Sequence, residues 1–153
     1  MAGSKKDTFE DGILKLIFQN ANLANIGDAT GLRGATAAGN FYIALFTAVP
    51  TDSTQGTEVT ATGYNTYARV AVVRSGSGWT VAGTNPTNCS NTAAITFPQC
   101  TANSCTVSSF AICKSSTLNA DDAIYWGDLT SNLAVSNGIT PEFAIGDLDV
   151  NED

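Results

Sequence analysis

Histidine is absent from this sequence of 153 residues, and charged side chains make up only 14% of it, against roughly 25% in a typical domain. Without histidine, the Ser-His-Asp and Cys-His arrangements of hydrolases and the usual histidine-containing zinc sites are excluded. Acid–base chemistry would fall to carboxylates, and the candidates for a paired site are Glu58, Asp121, Asp122, Asp128 and Glu142. No pattern brings two of them together. We therefore expect no enzyme activity, no catalytic residue, no cofactor and no metal site.

Basic residues and long apolar runs are also scarce. The chain has 7 Lys and Arg against 14 Asp and Glu, a net charge of -7. Nucleic-acid binding depends on clustered Lys and Arg, so we expect no nucleic-acid partner. No run approaches the roughly 18 apolar residues of a membrane span, and we expect no membrane partner. Glu10, Asp11 and Lys15 interrupt the first apolar stretch, which is not typical of a signal peptide, and we expect a soluble product made in a cytoplasm.

The four cysteines, Cys89, Cys100, Cys105 and Cys113, lie in one short segment without the paired C-x2-C spacing of a zinc knuckle. Two interpretations stay open. A local Cys100–Cys105 disulfide is favoured by "QCTANSC", which is typical of a turn between two strands. Four reduced and largely buried thiols are the ordinary state of a cytosolic product.

Residues 7 to 19 have the pattern of an amphipathic helix, with Asp7 or Thr8 as the cap and acidic residues in the first turn. Its wide apolar stripe must pack on the chain's own sheet or on a partner. Residues 21 to 40 are rich in Gly, Ala and Asn without a clear period, and we expect an extended arm. The interface candidates on helix and arm are Phe9, Ile13, Leu14, Leu16, Ile17, Phe18, Leu23, Ile26 and Leu32.

From Phe41 onward the sequence consists of short β-branched or aromatic runs separated by turn-prone clusters. The predicted strands are "FYIALFT", "YARVAVV", "GWTVA", "AAITF", "TVSSFAIC", "AIYWGDL" and "ITPEFAIGDLDV", and "GTNPTNCSN" is among the predicted turns. No helix-length segment separates the strands. The prediction is a mainly β fold: an antiparallel β-sandwich, Greek-key or jelly-roll-like, at 41–153, behind an N-terminal helix and arm at 1–40.

The first of these runs is apolar on both faces. Tyr42, Ala44 and Phe46 alternate with Phe41, Ile43 and Leu45, and a strand of this kind is covered on both sides. We expect a second sheet on one face, and the N-terminal helix or a neighbouring subunit on the other.

The C-terminal stretch places carboxylates and an amide at alternate positions. In an extended strand Asp147, Asp149, Asn151 and Asp153 would share one face. A weak cation site and a solvated strand are both compatible with this pattern, which lacks the glycine and the closing glutamate of a calcium loop.

A series of short motifs between Phe41 and Val150 occurs in a recognisable order. "ALFTA" is followed by a Pro-Asp turn, Gly-Thr-Glu, a Tyr-x-Arg strand, "ITFP", a Trp-Gly strand and a closing "FAIGDL". In this order they resemble a family of small tailed-bacteriophage virion proteins, labelled tail fibre, minor structural or capsid decoration proteins. The arm before Phe41 and the cysteine loop depart from that pattern. The positions that carry the resemblance are Ala44, Leu45, Pro50, Gly56, Glu58, Tyr67, Arg69, Phe97, Trp126, Gly127, Phe143 and Gly146.

The resemblance implies a structural virion role without enzyme activity. The leading hypothesis is a capsid decoration, or cement, protein on the outer surface of the head, bound to the major capsid protein and self-associated as a homotrimer. The acidic charge favours a position away from packaged DNA. The alternative is a tail-associated or fibre component that attaches to the host, for which loop aromatics such as Tyr64, Trp79 and Tyr125 would serve. A carbohydrate-binding module or glycan hydrolase, with Trp79 and Trp126 stacking on sugars, is a remote third.

Overall fold

The structure, a computed structural model, describes residues 5–24, 26, 31, 34–83 and 87–152. Within these residues the chain forms the helix α1 (Asp7–Phe18) and ten strands. The strands are β1 (Asn40–Ala48), β2 (Thr57–Glu58), β3 (Val70–Val73), β4 (Trp79–Ala82), β5 (Thr87–Asn91), β6 (Ile95–Thr96), β7 (Ser104–Cys113), β8 (Ala123–Ser136), β9 (Glu142–Phe143) and β10 (Asp149–Glu152). The predicted class is confirmed: the fold is mainly β, with antiparallel sheets of the kind that build sandwiches, behind an N-terminal helix.

The N-cap of the helix lies one residue before Asp7, the first of the two predicted caps. Lys6 is the N-cap, without a side-chain cap bond, and its carbonyl accepts hydrogen bonds from the amides of Phe9 and Glu10. The prediction that Asp7 or Thr8 caps the helix is wrong, because both residues are already inside its first turn. Asp7 and Glu10 still lie where the helix dipole favours negative charge.

The chain divides into two compact units, each made of separate stretches. Unit 1 consists of Met1–Gly39, Val73–Ala94 and Phe143–Asp153, and unit 2 of Asn40–Val72 and Ile95–Glu142. The helix thus shares a unit with β4, β5 and β10. The division into a segment 1–40 and a body 41–153 stays a prediction.

Unit 1 is built on a three-stranded antiparallel sheet in the order β10-β5-β4, on which α1 packs through β4 and β5. The turn predicted for "GTNPTNCSN" is wrong in its second half, which forms the central strand β5. Thr87, Cys89 and Asn91 alternate inward with at most 1% exposure. Two of these inward positions are polar, so hydrophobic periodicity did not reveal the strand.

Unit 2 contains a five-stranded sheet in the order β2-β1-β7-β8, with β3 also paired to β1. β1 runs antiparallel to β7, with Ala44 opposite Ala111 and Phe46 opposite Ser109. Its alternate residues are buried on both faces, as the sequence predicts. On one of them, Ala44, Phe46, Ala111 and Cys113 form a buried cluster.

The described ends of the predicted arm return to each other. The Asn20 side chain donates to the carbonyl of Ala35 at 2.8 Å and accepts from its amide at 2.6 Å, and Asn22 accepts from the amide of Gly34. The two ends of the segment are therefore hydrogen-bonded to each other, and the chain is not extended at that point. Leu32 lies outside the described residues.

Candidate functional site

The apolar residues of the helix, the predicted interface, separate into two groups. Leu14 and Phe18 are fully buried against the chain's own sheet, and the Phe18 ring meets Trp79 edge-on with centroids 4.8 Å apart. These two side chains are unavailable to a partner while the helix is docked. The half-buried candidates are Phe9, Ile13, Leu16, Ile17, Leu23 and Ile26.

The C-terminal end of α1 is fixed by side chains from unit 1. Arg74 donates through Nε to the carbonyl of Ile17 at 2.7 Å and through Nη2 to that of Leu16 at 3.1 Å. A cation at this end also complements the helix dipole. Gln19 donates to the carbonyl of Trp79 at 2.9 Å. The helix is consequently an integral part of unit 1.

The aromatic residues considered for ligand contact are mostly in the core. Tyr64 and Trp79 are fully buried, Tyr125 is half-buried and Trp126 is 38% exposed. The hypothesis that Trp79 and Trp126 stack on sugars is wrong for Trp79, because no ligand can reach its face. Tyr64 donates to the carbonyl of Pro98 from inside unit 2. Core packing, the ordinary role of such residues, accounts for both buried rings.

A buried ionic network occupies unit 2. Arg69, with 1% of its side chain exposed, donates through Nε and Nη2 to the two oxygens of Glu58, each at 2.9 Å. Its Nη1 donates to Asp122 at 2.8 Å. Tyr67 donates to Glu58 and accepts from the amide of Leu45, both at 2.9 Å. Strands β1 and β2 are thereby tied to the loop between β7 and β8.

The same network also organises that loop from inside. The amide of Asn119 donates to Glu58 at 2.6 Å, and that of Ser115 to Asp122 at 2.7 Å. Arg69 also donates to the carbonyl of Ser115 at 2.8 Å. Charge-assisted bonds of this kind are about twice as strong as neutral ones. The loop is therefore held in place by hydrogen bonds to the side chains of Glu58, Arg69 and Asp122.

Within the network, Arg69 and Ser115 stabilise the ionised form of Asp122 and do not prepare it for proton transfer. Burial alone would raise the pKa of Asp122, but hydrogen bonds from Arg69 and Ser115 outweigh it and hold this pKa below its usual range. Burial, followed by the negative charge of Glu58, raises the pKa of the Tyr67 hydroxyl. A general acid would need the opposite shift on its carboxylate. Asp122 is thus placed for ion pairing with Arg69, and the bonds from Arg69 and Tyr67 place Glu58 in the same way.

The remaining acidic candidates do not converge. Glu142 accepts a hydrogen bond from Thr96, Asp147 accepts one from the amide of Ala144, and Asp149 accepts one from Asn88. Asp153 lies outside the described residues. In the part of the chain that the structure describes, no group of three or more Cys, Asp or Glu side chains is placed to hold a metal ion.

All four cysteines are free thiols in the structure. Cys100 is fully buried, and its Sγ lies 3.2 Å from the carbonyl of Ala102. Burial raises the pKa of Cys89 and of Cys113 to about 12 and, together with the proximity of Cys100, also raises that of Cys105. Since thiolates are the reactive form, Cys89 and Cys113 are protected. Cys105 alone is half-buried.

We expect a thiol-reactive dye at pH 8 to modify Cys105 first in the folded protein and all four cysteines after unfolding without reductant. A Cys105→Ser variant, as the control, should lose the early phase. If unfolded, unreduced protein shows only two reactive thiols and Cys105→Ser restores a third, Cys100 and Cys105 are bridged in solution and the disulfide interpretation is right.

None of the helices in the described residues is long and apolar enough to cross a membrane.

Comparison with known proteins identifies the family. The family model described as podophage GP4 fiber I protein gp80 matches residues 10–151, which is nearly the whole chain. The chain belongs to this family. It is therefore a phage virion structural protein, as the resemblance in its motifs predicted. No curated protein matches the chain.

Exposed apolar side chains are the candidates for contacts with other proteins. Most of the exposed large apolar side chains are only 37–38% exposed, namely Val73, Leu118, Trp126 and Ile139. Ile145 is 70% exposed. Its exposure is not evident from the sequence, because "ITPEFAIGDLDV" has the pattern of one continuous strand. The glycine that follows Ile145 was the available signal of a turn.

Proposed function

We propose that this chain is a tail-associated fibre component of the virion that acts through protein–protein contacts. The family match over residues 10–151, whose description names a fibre protein, carries the proposal. The ionic network supports it, because a structural subunit needs loops fixed by internal bonds. The net charge of -7 supports a position away from packaged DNA.

Capsid decoration is the second candidate. In that role the protein would bind the outside of the head shell, contact the major capsid protein and self-associate, as the predicted homotrimer, to stabilise the shell. Its small size and acidic charge favour this role, because a shell-wide protein must cover many equivalent sites without binding DNA. The two candidates place the same chain at different sites of the virion.

The number of copies per particle separates them. We expect quantitative mass spectrometry of purified virions to give a small copy number that matches the rotational symmetry of the tail. Imaging of the particle should then place the chain in tail density. A copy number comparable to that of the major capsid protein, with density over the head, would instead establish the decoration role. Absence of the chain from virions would refute both.

A further inference from the structure

Ile145 lies at the tip of a four-residue turn, Ala144–Asp147, between β9 and β10. The amide of Asp147 donates to the carbonyl of Ala144, and Gly146, at the third position, has a φ of +79°. A side chain is strained at such a φ, which type II turns assign to glycine. The turn therefore directs the apolar residue at its second position into solvent.

The turn is held in one conformation by a buried side chain of β5. Asn91, 1% exposed, donates to the carbonyl of Ala144 at 2.7 Å and accepts from the amide of Leu148 at 3.0 Å. Its main-chain carbonyl accepts from the amide of Gly146 at 3.0 Å. Asp147 accepts from the amide of Ala144 at 3.1 Å. Because the backbone is already ordered, binding through Ile145 loses little conformational entropy.

The charges around the turn indicate what kind of surface it fits. Asp147 and Asp149 follow Ile145 within four residues and are exposed, while β5 and β10 carry no Lys or Arg. A symmetric contact with a second copy of this chain would bring these carboxylates against each other, which is unfavourable. A pocket that is apolar at its centre and basic at its edge complements both the isoleucine and the carboxylates.

We propose that the Ile145 turn docks into an apolar pocket with a Lys- or Arg-lined rim on another protein of the virion. This inference rests on the proposed function, since it names the chemistry of the virion protein that the chain contacts. Ile145 fills the pocket, and Asp147 and Asp149 meet the rim. The folded chain gains little from an isoleucine at this position, because the side chain is 70% exposed.

Co-sedimentation with particles tests the proposal. The probes are heads and tails purified separately from the phage that encodes this chain after deletion of its gene. We expect the wild-type protein to bind one of the two fractions, and Ile145→Ser to bind that fraction about 10-fold more weakly or worse, because a buried isoleucine side chain is lost from the contact. Ile139→Ser is the matched control: the same substitution at a residue that is 38% exposed should leave binding unchanged.

Electrostatics supplies a second readout. Wild-type binding should weaken as NaCl is raised from about 50 to about 500 mM, because salt screens exposed charges. Asp149→Asn should bind several-fold more weakly with a flatter salt dependence. This substitution preserves the acceptor for Asn88, which bonds the Asp149 carboxylate at 3.0 Å. Melting temperatures of Ile145→Ser and Asp149→Asn should match the wild type.

The possible failures are distinguishable. If the wild type binds tails and Ile145→Ser binds them equally well, the docking turn is refuted and the proposed function stands. Binding of the wild type to heads would instead favour the decoration role. If the wild type binds neither heads nor tails, the proposed function fails and the inference fails with it. If light scattering shows that Ile145→Ser dissociates an oligomer of the wild-type chain, the occupant is a second copy and the charge argument is wrong.

Discussion

Replacing Arg69 with methionine is expected to lower the free energy of unfolding by about 3–5 kcal/mol. The substitution keeps an unbranched side chain but leaves the Glu58 carboxylate, which has no exposed side-chain surface, without its bidentate partner. Tyr67 and the amide of Asn119 still donate to this carboxylate, but a buried carboxylate without a cationic partner has lost its hydration and the charge that offset the loss. Urea unfolding followed by circular dichroism measures the change.

Two comparisons show whether the loss comes from the stranded charge. Adding Glu58→Met to Arg69→Met should recover part of the stability, because removing both ions can be nearly neutral where removing one is costly. Lys15→Met, which breaks the exposed Lys15–Asp11 pair, should change stability by no more than about 0.5 kcal/mol. If Arg69→Met costs no more than Lys15→Met, the network does not stabilise unit 2 as described.

Replacing Phe18 with alanine is expected to destabilise unit 1 by about 3–5 kcal/mol, the usual cost of truncating a buried phenylalanine. The ring is fully buried and lies edge-on to Trp79. A helix of 12 residues is marginal without such packing. We expect α1 to separate from β4 and β5 and Trp79 to become accessible. Thermal unfolding and the tryptophan emission maximum report the two effects.

Phe9→Ala is the matched control, since Phe9 lies in the same helix and is only half-buried. It should cost clearly less and leave tryptophan emission unchanged. Equal losses for the two variants would mean that the helix is held by general apolar contact and not by the Phe18–Trp79 pair. A red shift of tryptophan emission in Phe9→Ala would lead to the same conclusion.

Elements with a strong hydrophobic period could be predicted from the sequence, and elements with polar inward positions could not. β1 was found because Phe41 to Phe46 alternate between two apolar faces, and α1 because its stripe has helical spacing. β5 was missed because two of its inward positions, Thr87 and Asn91, are polar. Asn91 clamps the Ile145 turn, a task that appears only once the residues from 144 to 148 are seen beside it.

The residues of the ionic network could not be grouped from the sequence, because their contacts join positions that are far apart in the chain. Glu58, Arg69 and Asp122 were singled out as motif positions or as carboxylates, but a sequence cannot show that one guanidinium binds both acids. The exposed fraction of a side chain cannot be derived from the sequence either. Ile145 and Leu148 are both apolar and lie three residues apart, yet Ile145 is 70% exposed and Leu148 is fully buried. Gly146, which has a φ of +79°, lies between them and turns the chain.

The separate stretches of chain that make up unit 1 also determine the order in which the two units fold during synthesis. Its sheet is complete only when β10 pairs with β5, and β10 is translated after every strand of unit 2. Since domains generally fold as their residues emerge from the ribosome, unit 2 can complete its sheet while β5 still lacks one neighbour. The Ile145 turn lies just before β10, so it takes its final form after the sheet of unit 2 is complete. A chain that lacks β10 is therefore expected to present no ordered Ile145 turn to the partner proposed above.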